Sequence, residues 1–278
     1  GHAVQRPSTA TAIARHVTNQ VNVRPGDLDA LRQVPWRQFV DIYSGLQARV
    51  EWEQPQIYLP VLNEHMPVHP VDATHAGIGS DIDYLIGTCR DEMNLFALFM
   101  DLEGSQFERR AQQVFAAAGA RRSEVLAQYQ QLRPDLDAQG CFNAAVGDMW
   151  FRMPALRIAE GHRRYSEKGT YVYLFEWSSP FIGAAHTLDL MVFGNGLPFS
   201  LLAGFAEYDK TAEFMRKAWV AFASSGSPEM AAQAWPAYGP GQATLSIDQS
   251  TSRLDQSYRQ QFPMLESIIS DSWQAAGL

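Results

Sequence analysis

Two short segments of this 278-residue chain are unbroken apolar runs of the kind that predicts strands. Residues 84–86 (YLI) end at Gly87, and residues 170–177 (TYVYLFEW) are almost wholly β-branched, aromatic or apolar. A strand covered on both faces loses the alternation of polar and apolar residues, so both segments predict buried strands. Residues 243–249 (ATLSIDQ) predict a later strand.

Much of the remaining chain has the apolar spacing of amphipathic helices. Residues 8–48 predict three short helices, with a break near Pro35. Residues 55–80 are rich in Pro and His and predict a loop. Further helices are predicted at 107–119, 122–132, 142–165 with a kink near Pro154, 205–224 and 262–273.

Strands that alternate with helices and are covered on both faces predict an α/β fold with a largely parallel sheet. The chain is rich in predicted helix, and two or three strands are few for a complete α/β domain of 278 residues. We therefore expect a helix-rich structure with a partial sheet.

Composition narrows the class of protein. Hydrophobic residues make up 46% of the chain and charged residues 19%, which predicts a large core and excludes a disordered chain. The net charge is −8 and no basic run occurs, so nucleic acid is not an expected partner. No apolar run reaches transmembrane length. The two cysteines, Cys89 and Cys141, favour buried thiols over a single disulfide.

Candidate catalytic side chains follow the first two predicted strands. Arg90-Asp91-Glu92 comes after one strand, and His186 comes after the next. Reactive groups in open α/β sheets lie where strands end at their carboxyl edge, so an acid and a histidine placed there can meet. The acid would orient the imidazole, which would act as a base towards a nucleophile. The alternatives are a solvated first-turn Glu and a structural histidine.

Four motifs occur in order and decide between these alternatives: YLPVLNEHMPVHPVDA (58–73), YLIGTCRDEMNLF (84–96), GAAHTLDLMVFG (183–194) and MRKAWVAFASSGSPEMAAQAWPAYGP (215–240). Together they resemble the C-terminal half of type B carboxylesterases, which are α/β-hydrolases. The resemblance extends over nearly the whole chain, and it implies that Glu92 and His186 are the acid and the base of a Ser-Glu-His triad. Departures from the family pattern include Met93 where glycine is common and Asp189 where glutamate is common.

The nucleophile that this resemblance requires is missing from the sequence. A Gly-x-Ser-x-Gly elbow does not occur, and none of the serines before the acid, Ser8, Ser44 and Ser80, has the flanking glycines. We expect residues 1–278 to be a single C-terminal portion of an α/β-hydrolase domain. Its expected partner is the N-terminal half of the same esterase, or a second copy through an exposed sheet edge.

The expected function is therefore part of a carboxylic-ester hydrolase that acts on small-molecule esters, needs no cofactor and is inactive without its N-terminal half. Phe96 and Phe193 follow the two catalytic turns closely and are candidates for the acyl or alcohol pocket. The alternative is a non-catalytic binding or adhesion module of the same family. A cytoplasmic location is favoured, and secretion remains open.

Three histidines, His65, His69 and His75, cluster in the Pro-rich segment. Two prolines prevent a helical His-x-x-x-His face, so these residues are interpreted as surface loop histidines and not as a zinc site. Four charged residues on the long helix, Asp148, Arg152, Arg163 and Arg164, are interpreted as its solvated or ion-paired face.

Overall fold

The structure, a computed structural model, forms two compact units, residues 2–69 and residues 70–278, the latter together with Gly1. The residues it describes are 4–47, 58–98, 122–193, 197–204, 207–231, 233–248 and 252–255.

In the unit of residues 2–69, the described residues form three helices, as the apolar spacing predicted. They are α1 (Pro7–Gln20), α2 (Leu28–Gln33) and α3 (Trp36–Gln47). Proline at the first turn of α1 sacrifices no hydrogen bond, because the first amides of a helix have no partner within it. The Asp27 carboxylate caps α2 by accepting the Ala30 N–H at 2.9 Å, and α3 begins directly after Pro35.

The unit of residues 70–278 contains a sheet with strands in the order β1-β2-β3-β4. The first three strands pair in parallel, and β4 joins in antiparallel orientation. The predictions of a mostly parallel sheet and of its first three strands are confirmed, whereas β4 was missed. The strands are β1 (Tyr84–Cys89), β2 (Thr170–Phe175), β3 (Thr244–Ile247) and β4 (Ser252–Asp255).

Helices follow and connect these strands. The predicted helices at 122–132 and 142–165 are confirmed in position, and the one predicted at 205–224 is confirmed from Asp209 onward. The prediction of a loop at 55–80 is wrong near the end of that segment, where a short helix forms at Pro70–His75. The predicted helices at 107–119 and 262–273 lie outside the described residues. The helices are α4 (Pro70–His75), α5 (Met93–Ala97), α6 (Arg122–Leu132), α7 (Ala138–Gly147), α8 (Met153–Tyr165), α9 (Leu197–Leu202) and α10 (Asp209–Ser225), with a 3-10 helix at Leu188–Phe193.

The kink predicted near Pro154 takes the form of a π-helical turn, Asp148–Arg152, between α7 and α8. Proline has no N–H, and its ring clashes with the carbonyl four residues earlier, so a regular α-helix cannot continue through it. A wider turn before the proline keeps the chain helical and changes the direction of the side chains on it. π-Helical turns inside helices are frequent at functional sites.

The core lies around β2 and β3. It contains fully buried aromatic and aliphatic side chains, among them Phe175, Trp177, Met215, Trp235, Leu245 and Ile247. In register, Cys89 at the end of β1 pairs with Phe175 at the end of β2. The turns that follow these two strands therefore begin side by side. Gly87 allows this close pairing, because a Cβ there would lie 2.3 Å from the ring of Tyr173.

Both cysteines are buried, and neither takes part in a disulfide. Of the helices that the structure describes, none has the length and apolar character needed to span a membrane.

Candidate active site

Glu92 and His186 meet at the carboxyl end of the sheet. The Nδ1 atom of His186 lies 2.5 Å from Oε2 of Glu92. The other carboxylate oxygen, Oε1, accepts the backbone N–H of Cys89 at 2.7 Å. Glu92 is buried, with 6% of its side chain exposed, whereas 34% of the His186 side chain is exposed. The acid is thus fixed beneath the surface, and the imidazole it holds is open to solvent.

This contact determines which ring nitrogen is basic. A carboxylate oxygen only accepts hydrogen bonds, so Nδ1 of His186 carries a proton and donates it to Glu92. In the neutral ring, Nε2 then holds the free lone pair. Across the described residues, the bond to Glu92 is the hydrogen bond that this ring makes. Nε2 is therefore available to a group outside the described chain.

The hydrogen bond to Glu92 raises the pKa of His186 above its ordinary value, and burial opposes this only in part. Negative charge on Glu92 and Asp189 adds to the increase. The pKa of His186 is higher in the folded state than in the unfolded state, where it is about 6.5. The ring therefore stabilises the fold most at pH values below this unfolded-state pKa. That contribution is lost as pH rises through the folded pKa.

We therefore expect an NMR titration of the His186 ring in this chain to give a pKa above that of a model peptide, which is about 6.5. The reason is that Glu92 stabilises the imidazolium form more than burial disfavours it. A titration midpoint at or below the model-peptide value would contradict the hydrogen bond.

The backbone directly after His186 is strained. Thr187 has φ 74°, in the left-handed region that β-branched residues rarely adopt. Two backbone hydrogen bonds hold this turn: Leu188 N–H donates to the Ala185 carbonyl at 3.2 Å, and Leu190 N–H donates to the Thr187 carbonyl at 3.0 Å. Such strain persists only where surrounding contacts impose it, and it concentrates at functional sites.

Two aromatic rings flank the imidazole. The ring centroids of Phe96 and Phe151 each lie 5.1 Å from that of His186, and the two phenyl rings are 6.2 Å apart. The structure thus places Phe96, a predicted pocket residue, beside the base. The side chain of Phe193, the other predicted pocket residue, lies outside the described part of the chain.

Phe151 was missed by the sequence analysis. It belongs to the π-helical turn Asp148–Arg152, more than 50 residues from Phe96 along the chain. Only the kink predicted at Pro154 hinted at an irregular backbone here, and that hint did not indicate which side chain would face the site.

Asp189 lies one turn beyond His186 and is held by the sheet. Its carboxylate accepts a hydrogen bond from the hydroxyl of Tyr173 at 3.0 Å.

Burial raises the pKa of the Cys89 thiol, and the charges of Asp189 and Glu92 raise it further. This thiol is therefore kept protonated and unreactive beside the acid turn.

The interpretation of three surface histidines is wrong in part. His65 is exposed, but His69 is buried and only 5% exposed. His75 lies on α4, where its Nε2 is 2.9 Å from the carbonyl oxygen of Arg157 and donates to it.

The charged residues of the long helix are ion-paired as predicted, although two of them are not solvated. Asp148 and Arg152 form a buried pair 3.0 Å apart, and each side chain is 6% exposed. Burial raises the pKa of Asp148, with Arg152 and the Tyr129 hydroxyl opposing it. Arg163 and Arg164 both pair with Glu160.

Comparison with known proteins shows the family of this chain. The family model described as the carboxylesterase family matches residues 3–264. The chain belongs to the carboxylesterase family. Its fold is therefore the helix-rich α/β-hydrolase fold, and the predicted family resemblance is confirmed.

Among curated proteins, the chain is similar to the para-nitrobenzyl esterase of Bacillus subtilis (strain 168), with 28% identity over 227 residues. That match covers 78% of this chain and 45% of the relative. Among solved structures, a carboxylesterase of Geobacillus stearothermophilus is similar with a TM-score of 0.73 and 24% identity, covering 94% of this chain and 55% of that one. A structure of a thermophilic para-nitrobenzyl esterase has a TM-score of 0.73 and 25% identity, with 95% and 55% covered. The chain spans about half the length of the relatives it matches.

Proposed function

We propose that this chain is a C-terminal portion of a carboxylic-ester hydrolase, and that it supplies the acid and the base of a Ser-Glu-His triad. The observation that carries the proposal is the hydrogen bond between Glu92 Oε2 and His186 Nδ1, 2.5 Å long. It leaves Nε2 as the basic nitrogen of a ring whose side chain is 34% exposed. A binding or adhesion module has no chemical need for this pair.

In the proposed reaction, the nucleophile is a serine outside this chain. Nε2 of His186 takes the serine hydroxyl proton as the oxygen attacks the ester carbonyl. The resulting imidazolium is stabilised by the Glu92 carboxylate, which stays ionised. His186 then gives the proton to the leaving alcohol, and the cycle repeats with water to release the acid. Backbone amides outside this chain would hold the oxyanion.

We also propose that Phe96 and Phe151 border the substrate. Both rings lie 5.1 Å from the imidazole, centroid to centroid, which is close enough for an ester held at this ring to contact them. Two apolar rings at this position suit an apolar acyl or alkyl group, because burying such a group against them removes water from both.

The partner proposed for this chain is the N-terminal half of the same esterase. β1 stands at one end of the strand order in the described sheet, and it pairs there with β2 alone. An uncovered parallel edge attracts another strand. The chain also spans about half the length of its relatives, so the proposed partner accounts for the rest of the fold.

Complementation tests the proposal. We expect this chain alone to hydrolyse no para-nitrophenyl butyrate above background, because it has no elbow serine. Co-expression with an N-terminal half that carries the Gly-x-Ser-x-Gly elbow is expected to give a stable complex with esterase activity. The matched control is the same N-terminal half with the elbow serine replaced by alanine, which should assemble but remain inactive.

Two results would count against the proposal. One is esterase activity from the chain alone. The other is a stable, monodisperse monomer that binds no 8-anilinonaphthalene-1-sulfonate, since a sheet lacking its partner should expose apolar surface or self-associate.

A further inference from the structure

The acid turn and the histidine loop are tied together by more than the Glu92–His186 bond. Asp91 lies next to the acid in sequence, and it contacts Ala184, two residues before the base. The Asp91 N–H donates to the Ala184 carbonyl at 2.9 Å. In return, the Ala184 N–H donates to the Asp91 carboxylate at 3.0 Å. Asp91 thus bonds both backbone polar groups of Ala184, its N–H and its carbonyl.

A second tie comes from the start of α5. The side-chain amide of Asn94 donates to the carbonyl of Ile182 at 3.1 Å. Between the two anchored residues lies Gly183, with φ 65°, where a Cβ would lie 2.6 Å from the Asp91 carboxylate. The loop therefore approaches Asp91 as closely as only glycine permits.

Two arginines hold the Asp91 carboxylate in place. Arg90 donates to it from Nε and from the guanidinium tip, the shortest contact being 2.8 Å, and Arg133 reaches it at 3.3 Å. Arg90 also donates to the hydroxyl of Ser178, at the start of the histidine loop, at 2.7 Å. Burial alone would raise the pKa of Asp91, but Arg90, the Ala184 N–H and Arg133 outweigh it and lower that pKa. The carboxylate is therefore ionised and fixed in orientation at neutral pH.

We propose that Asp91 and Asn94 are positioning residues that set the distance and angle between Glu92 and His186 by clamping the loop at Ile182–Ala184. Neither contacts the imidazole. Both act on the backbone that precedes it, from the same turn that carries the acid. The meaning of the clamp for catalysis rests on the proposed function. The clamp itself is a property of this chain, and it can be measured without any esterase activity.

The first test is NMR of His186 in this chain, with the variants Asp91→Asn and Asn94→Ala. We expect the pKa of His186 to fall towards about 6.5 and its Nδ1 proton to exchange faster with water, because a looser loop weakens the bond to Glu92. Asn94→Ala changes no charge, so a fall in pKa there reports position and not electrostatics. If Asp91→Asn does not fold, Asn94→Ala decides the outcome.

The matched control is Glu160→Gln. Glu160 is also a carboxylate with two arginine partners, Arg163 and Arg164, but all three lie within α8. This variant should leave the pKa and proton exchange of His186 as in the wild type. Folded clamp variants with an unchanged His186 pKa and unchanged Nδ1 exchange would overturn the proposal, whatever their melting temperatures.

The second test uses the complex with the N-terminal half. The clamp variants should lower kcat roughly 10- to 100-fold with little change in KM, since a small misplacement of a catalytic group slows the reaction without touching the substrate site. A rise in KM at constant kcat would contradict a positioning role. A complex with no esterase activity would contradict the proposed function. The NMR result for the clamp would remain valid, because it does not depend on activity.

Discussion

Replacing His186 by alanine is expected to lower kcat of the assembled esterase by about 10⁴- to 10⁶-fold. The reason is that Nε2 of this ring is the proposed acceptor of the serine proton, so its removal leaves the attacking serine without its general base. The measurement is the steady-state hydrolysis of para-nitrophenyl butyrate by the complex, with the kcat and KM terms separated.

The control for this variant is His65→Ala, which removes an exposed histidine with 87% of its side chain in solvent. It should retain wild-type activity. KM for the His186 variant should change little, because the ring acts on the nucleophile and not on substrate binding. Undiminished activity of His186→Ala would show that the base has been assigned to the wrong residue.

Glu92→Gln is expected to lower kcat by about 10²- to 10⁴-fold. In the wild type, one carboxylate oxygen accepts from His186 Nδ1 and the other accepts from the Cys89 N–H. Glutamine has one acceptor oxygen, so it can serve only one of these two donors. If the oxygen stays with Cys89, the amide N–H₂ faces Nδ1 and drives the ring proton to Nε2, where the base must be free. The imidazolium also loses its counter-charge.

The pH dependence of activity separates this variant from a folding defect. The wild-type complex should lose kcat/KM as pH falls below the raised pKa of His186, since the protonated ring is no base. In Glu92→Gln the same midpoint should move to lower pH, because the raising contact is gone. Glu213→Gln, a solvent-exposed change on α10, serves as the control and should change neither kcat nor the midpoint. A Glu92→Gln complex with wild-type kcat would rule out the acid role.

Parts of the fold follow from local pattern. The apolar runs at β1 and β2 predict strands because a residue in a strand covered on both faces must be apolar whichever way it points. The same reasoning located the two turns that carry the candidate chemistry, since strand ends are visible in sequence. It could not choose between Asp91 and Glu92, because both follow the strand directly. The family resemblance pointed to Glu92, and the hydrogen bond to His186 agrees with it.

Two elements were missed because their residues show no apolar pattern typical of a strand or a helix. β4 was missed because four residues, SRLD, have no apolar run, and they pair with β3 as the last strand in the described order. The helix at Pro70–His75 was missed because the prolines and histidines of residues 55–80 suggest a loop, although proline is well suited to the first position of a helix.

By itself, the sequence determined the class of fold, the positions of three strands and the two turns that carry the candidate acid and base. Strand burial and helical spacing depend on residues that are close together in sequence, so they can be predicted without information about distant contacts. The tertiary structure alone decided that Phe151 flanks His186 and that Asp91 clamps Ala184, 93 residues away. Such contacts depend on the parallel register of β1 and β2 and on the π-helical turn before Pro154, which set directions that no local pattern encodes.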